Sequence, residues 1–136
     1  MYMNEDGSPV TVYLAGPMSG LPNYNFEVFE RYARILREQG YTVVSPHDTA
    51  GQATHLPRSW YFRMDFAIIA NVDYVFFIPG WQTSAGARAE AIMATEMGVD
   101  CWVLGRTGLP IGRMRVDGWE LEWKVVPGEG VDPNAN

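Results

Sequence analysis

The run Gly80-Trp81-Gln82-Thr83-Ser84-Ala85-Gly86-Ala87-Arg88-Ala89-Glu90 places one carboxylate just inside a helix that opens from a small-residue loop. An apolar strand, Tyr74-Val75-Phe76-Phe77-Ile78-Pro79, leads into that loop. Backbone N–H groups at a helix N-terminus lack intrahelical partners and attract anions and small polar groups. A carboxylate there is expected to be ionised and aimed at something. A second apolar strand, Val10-Thr11-Val12-Tyr13-Leu14-Ala15, ends in a similar way, in Gly16-Pro17-Met18-Ser19-Gly20. Two strand-to-helix loops of this kind make a site.

The elements that must position these loops follow from hydrophobic spacing. Phe26, Phe29, Ala33, Ile35 and Leu36 recur at helical intervals between charged residues, and Gly40 closes the pattern. Strands are expected at 10–15, 41–45, 74–78 and 101–104, and helices at 26–39, 60–70 and 85–97. Residues 46–57 read as a loop and residues 1–9 as a frayed end. Gly20-Leu21-Pro22-Asn23-Tyr24-Asn25 reads as a lid with a helix cap at Asn23 or Asn25. Strands alternating with helices predict an α/β fold, a flavodoxin-like or Rossmann-like three-layer sandwich with a parallel sheet in the order 2-1-3-4-5. In that order the crevice lies outside the carboxyl ends of strands one and three, where both glycine-containing loops sit. Beyond Gly105 the pattern becomes a β extension over 106–127, read as a hairpin around a two-residue Asp117-Gly118 turn, followed by a tail from 128. The whole is expected to be one domain with its core at 10–105.

Composition bounds the partners. The chain has 136 residues, is 47% hydrophobic and carries a net charge of −6 with a pI near 4.8. Nucleic acid is not expected as a partner, because backbone binding needs a basic surface. Small anions remain compatible, since local N–H groups hold a phosphate whatever the net charge. The single cysteine, Cys101, excludes an internal disulfide. His47 and His55 without cysteine support do not make a metal site, and no metal or other cofactor is expected. No long apolar run or signal pattern is present, so a cytoplasmic protein without membrane contact is expected.

Tyr13-Leu14-Ala15-Gly16-Pro17-Met18-Ser19-Gly20, Asp65 on a helix, and Ser84-Ala85-Gly86-Ala87-Arg88-Ala89-Glu90 together resemble the nucleoside 2-deoxyribosyltransferase superfamily. That superfamily includes the 2′-deoxynucleoside 5′-phosphate N-hydrolases. The form Gly-Pro-Met-Ser-Gly-Leu-Pro-Asn-Tyr-Asn-Phe, with Pro-Gly-Trp later, looks closest to a small phage and bacterial branch. The resemblance covers roughly residues 10–105. It implies that Glu90 is the nucleophile, forming a covalent deoxyribosyl-enzyme. Asp65 then contacts and protonates the departing base, and Tyr13 orients the nucleophile. Ser84 stands where the transferases carry an aspartate for the sugar hydroxyls. That departure points toward a substrate bearing a 5′-phosphate.

The chemistry implied is N-glycosidic cleavage through an oxocarbenium-like state, with one ionised and one protonated carboxyl. On this reading Glu90 stays ionised at its helix N-terminus, while Asp65, among Trp60, Phe62 and Phe66, has a raised pKa. Gly16, Met18, Ser19, Gly20, Trp81, Ser84, Gly86 and Arg88 are the expected substrate contacts. Tyr24, Trp60, Tyr61 and Trp81 are candidates to stack on a base. Residue by residue, structural readings stand beside these. Glu90 alone is compatible with an ordinary first-turn glutamate, Asp65 with an ion pair to Arg58 or Arg63, the two serines with caps, and Asp73 is read as a turn residue. Two further functions stay open: NAD glycohydrolysis, and nucleotide sensing without turnover. The superfamily resemblance implies a homo-oligomer whose neighbour completes the site, with the Trp-rich C-terminal strand as an interface.

Overall fold

A computed structural model describes residues 3–18, 20–46, 56–117 and 122–126. Among the described residues α-helices and strands alternate as expected up to residue 104, and two further strands follow. The elements are β1 (Thr11–Ala15), α1 (Phe26–Glu38), β2 (Thr42–Val44), α2 (Arg58–Ile69), β3 (Tyr74–Phe77), α3 (Ala85–Glu96), β4 (Asp100–Leu104), β5 (Pro110–Asp117) and β6 (Glu122–Val126). All six strands join one sheet in the order β2-β1-β3-β4-β5-β6. The first four run parallel, while β5 and β6 are antiparallel. The fold class and the order 2-1-3-4-5 therefore hold, with the fifth position filled by the extension.

Side chains on a strand alternate between faces, and β1 distributes its residues accordingly. Val12 and Leu14 pack with Phe29, Tyr32, Ala33 and Leu36 of α1. Tyr13 and Ala15 face the other way, toward Ile69 of α2 and Ala87, Ala91 and Ala94 of α3. Right-handed crossovers produce this division. The path from β1 to β2 runs one way along the sheet, and the paths from β2 to β3 and β3 to β4 run the other, so α1 lies on one face and α2 with α3 on the opposite one. Strand order thus reverses between β1 and β3, where Tyr13 is opposite Val75.

Three local expectations are corrected. Residues 3–9 are not frayed: Met3 bridges Pro9, and the Asn4 N–H donates to the Ser8 carbonyl at 2.8 Å. Asp6 stabilises that turn by accepting from the Ser8 N–H and hydroxyl. Asp117 is not a turn residue of a two-residue hairpin. It pairs with Glu122 at the end of the β5–β6 ladder, leaving four residues between the strands, so residue pairing rather than the Asp-Gly dipeptide sets the register. Trp119 and Leu121 lie outside the described residues, as do the tail from 127 and His47 and His55. Neither Asn23 nor Asn25 acts as a side-chain cap. Asn23, Tyr24 and Asn25 all have left-handed φ, of 48°, 54° and 62°, and the Asn25 amide donates instead to the Pro17 carbonyl at 2.9 Å. Asp73 does serve the turn before β3: its carboxylate accepts from the Thr11 N–H at 2.8 Å.

Gly16 ends β1 where the sheet and the Ile78 side chain close in on it. A Cβ at this position would run into Cγ1 and Cδ1 of Ile78, which is fully buried. Overpacking a filled core costs about 1–3 kcal/mol. Gly16→Ala is expected to lower stability by about that amount, read as a fall in the denaturant midpoint without a change in slope.

Candidate active site

The two loops meet where strand order reverses. After β3, Gly80 takes a φ of 90° and starts a 3₁₀ turn, Trp81–Thr83. The turn is closed by the Thr83 hydroxyl, which donates to the Gly80 carbonyl at 2.7 Å. Ser84 then caps α3: its Oγ accepts from the Ala87 N–H at 3.1 Å. Above these loops and the end of β1 lies a cavity of about 460 Å³, within the range of small-molecule sites. Gly16, Met18, Ser84, Gly86, Asp65 and Glu90 all line it.

Asp65 and Glu90 line the cavity, and Tyr13, outside the lining, meets them from β1, so that three polar groups converge from three elements. The Tyr13 ring rises from β1 on the face shared with α2 and α3, and is 1% exposed. Its hydroxyl is in hydrogen-bonding contact with the carboxyls of both Asp65 on α2 and Glu90 on α3. Burial, followed by the charges of Glu90 and Asp65, pushes the Tyr13 phenol well above its ordinary range, so it remains protonated. A phenol has one proton to donate. It satisfies one ionised carboxylate fully, and the second carboxyl fits best when it carries a proton of its own.

The carboxyls reflect that constraint. Burial raises Asp65 to about 6 against the pull of the Tyr13 hydrogen bond. Burial, then the neighbouring Asp65 charge, raises Glu90 to about 8, again opposed by Tyr13. Glu90 is 6% exposed, and its Oε2 has no hydrogen-bond partner among the described residues. The expectation that the helix N-terminus keeps Glu90 ionised is therefore corrected. Glu90 lies six residues past the Ser84 cap, whereas helix-end charge fades within the first turn. Desolvation outweighs it.

The remaining expected contacts divide. Trp81 does not face the cavity: it is 1% exposed, with its ring 5.1 Å from that of Phe77 in the core beneath α3. The 3₁₀ turn folds it back onto β3, where a large ring gains most from burial. Arg88 turns away from the cavity as well, donating from Nη1 to the Gln82 carbonyl at 2.7 Å. Gly20, with a φ of 78°, lies outside the lining, and Ser19 lies outside the described residues. No ion pair joins Asp65 to Arg58 or Arg63 among the described residues. No cluster of three metal-ligating side chains occurs among them either, and no helix among them is long and apolar enough to cross a membrane.

Of the wall formed by α2, sequence reasoning found Tyr61, as a candidate to stack on a base, and missed Arg58 and Phe62 as contacts. Arg58, Tyr61 and Phe62 line the cavity with Asp65. These positions are i, i+3, i+4 and i+7, one stripe of a helix. Counting back from Asp65 at that spacing would have found them. The wall opposite carries Leu21, Tyr24 and Phe26.

The parallel sheet in this order, with helices on both faces, is a fold seen among solved structures. Two solved structures carry that likeness. One is the CMP N-glycosidase BcmB of Clostridium botulinum, 22% identical over 69% of this chain and 70% of that one, with a TM-score of 0.51. The other is a 2-deoxyribosyltransferase from the psychrotolerant bacterium Bacillus psychrosaccharolyticus, 23% identical over 75% and 77%, with a TM-score of 0.56. The chain itself belongs to the family described as a domain of unknown function, DUF4406, matched over residues 10–102. A search of curated proteins returns no match.

Because both carboxyls titrate higher in the folded chain than in water, the folded state binds more protons than the unfolded one between about pH 4 and pH 8. Stability should fall as pH rises through that window. Glu90→Gln removes the larger contribution. It is expected to stabilise the protein at pH 8 by on the order of 2–4 kcal/mol and to have almost no effect near pH 4. Thermal unfolding of both proteins at the two pH values checks this, and equal midpoints at pH 8 would contradict it.

Proposed function

We propose that this protein cleaves the N-glycosidic bond of a nucleoside 5′-monophosphate, with the 2′-deoxy sugar favoured, through a covalent glycosyl intermediate on Glu90. The observation that carries this reading is the buried carboxyl of Glu90 and the half-buried carboxyl of Asp65, which line the cavity and both contact the Tyr13 hydroxyl. The activities named for the two similar structures, one an N-glycosidase and one a deoxyribosyltransferase, are in keeping with it.

Between about pH 6 and pH 8 the pair holds one proton. Tyr13 touches both carboxyls, so that proton can reside on either: Glu90 gives its proton to the phenol oxygen as the phenol gives its own to Asp65. With Asp65 protonated and Glu90 ionised, Glu90 Oε2 attacks C1′. As the C1′–N bond breaks, its electron pair passes to the base and Asp65 delivers its proton there. In the second half, Asp65 takes a proton from water as the water oxygen attacks C1′, and the bond to Glu90 breaks to regenerate the carboxylate. A second base in place of water completes a transfer.

The phosphate is assigned to the α3 side. Ser84, Ala85 and Gly86 line the cavity at the start of α3, and helix N-termini hold anions with backbone N–H groups. The Ser84 hydroxyl accepts from Ala87 and keeps its own proton to donate.

Chromatography of wild type and Glu90→Gln against nucleosides, their 5′-monophosphates and NAD tests the reading. Free base should appear with wild type, from monophosphates, and fall below detection with Glu90→Gln. Base released from NAD alone would favour the glycohydrolase alternative, and binding without turnover would favour a sensor. The pH profile of kcat/KM should be bell-shaped with its maximum near pH 7. Below about 6 both carboxyls are protonated and neither can attack, and above about 8 neither keeps a proton to give. Asp65→Asn should abolish the bell and lower kcat by roughly 10²–10⁴-fold.

A further inference from the structure

The α2 wall holds polar groups that the reaction does not use. Arg58 is exposed at the rim of the cavity, with its guanidinium 5.0 Å from the Phe62 ring centre. Among the described residues it is the one cationic residue in the lining and has no ion pair. Tyr61 lines the same wall. Its ring stands edge-on to Trp60 at 5.3 Å, and its hydroxyl is buried with no partner among the described residues. A buried hydroxyl left unmatched is costly, and this one belongs to a residue that borders the cavity. The two residues stand one helical turn apart, and Asp65 follows Arg58 by two turns, about 10 Å along the axis.

We infer that this stripe of α2 reads the base, and that it selects bases with an exocyclic carbonyl over those with an amino group at the same position. The inference rests on the proposed function. If Asp65 protonates the departing base, the base lies against α2, and the next turns of the same stripe face its far edge. Phe62 offers that base a ring face. Arg58 has only donors, and Tyr61 can donate or accept. A carbonyl, as in 6-oxopurines and 4-oxopyrimidines, accepts from both. An amino group at that position is a donor. It would face a guanidinium that cannot accept from it, and opposed donors are an effective means of rejection.

The test compares pairs that differ at the exocyclic group and in the proton on the ring nitrogen beside it: the 5′-monophosphates of deoxyinosine and deoxyadenosine, and of deoxyuridine and deoxycytidine. Dissociation constants are measured on Glu90→Gln, which does not turn over, and base release on wild type. The oxo member of each pair should bind roughly tenfold tighter or more. Tyr61→Phe and Arg58→Met, introduced into the Glu90→Gln background, should each reduce that ratio by roughly threefold or more, with Met retaining the aliphatic contact to Phe62. A merely structural role would weaken both members equally and leave the ratio intact. An unchanged ratio in both variants, or an amino preference, overturns the inference. Base release by wild type with no oxo preference overturns it while the proposed function stands. An oxo preference in binding without any release supports it and overturns the proposed chemistry. Failure of all four nucleotides to bind overturns both.

Discussion

One phenol proton shared between two carboxyls sets the terms for the rest of this molecule. Burial, deep at Glu90 and partial at Asp65, together with the Asp65 charge beside Glu90, holds the pair to a single negative charge across the neutral range, while the Tyr13 hydrogen bonds oppose it. That arrangement needs three elements to meet at one point. Tyr13 comes from β1 beside β3, Asp65 from α2 and Glu90 from α3. They meet because strand periodicity puts Tyr13 on the face to which right-handed crossovers deliver α2 and α3. A one-residue slip of β1 would send Tyr13 to the α1 face and leave two carboxyls opposed with no donor between them.

The helices divide the work of core and cavity unequally. α1 buries Phe29, Tyr32, Ala33 and Leu36, and α3 buries Ala87, Glu90, Ala91 and Ala94. α2 buries Ile69 alone. Its aromatic residues contribute less to stability than their size suggests, because they border open space. α3 supplies the complementary wall of small residues and a capped N-terminus. The cavity is therefore asymmetric, aromatic and donor-rich on one side and rich in exposed backbone on the other. A ligand with a flat end and an anionic end would settle in one orientation.

Much of the fold was legible because it follows from local periodicity and punctuation. Apolar strands, amphipathic spacing in α1, and Gly40 and Gly98 past the ends of their helices all fall where expected, the two glycines with φ of 103° and 75°. What escaped depends on tertiary placement. Trp81 reads as a loop aromatic, but one 3₁₀ turn sends it into the core. Glu90 reads as a first-turn acid near a favourable dipole, but its ionisation is governed by depth, which sequence spacing does not encode. Asp117-Gly118 matches a tight-turn signal that the β5–β6 pairing overrides. Arg58 and Tyr61 were visible as residue types, and only the position of Asp65 on the cavity face gives their spacing meaning.

The wall opposite α2 has a thermodynamic character of its own. Asn23, Tyr24 and Asn25 hold three successive left-handed conformations, and each costs an L-residue about 1–2 kcal/mol, less for asparagine. The bond from the Asn25 amide to the Pro17 carbonyl helps retain them. Displacing this segment breaks that bond but also releases the backbone strain, so the two contributions offset each other. Moving this segment therefore costs less than its hydrogen bond alone would suggest. Traffic of ligand and product is therefore best accommodated on the side away from the carboxyls, leaving the proton-sharing groups undisturbed from one turnover to the next.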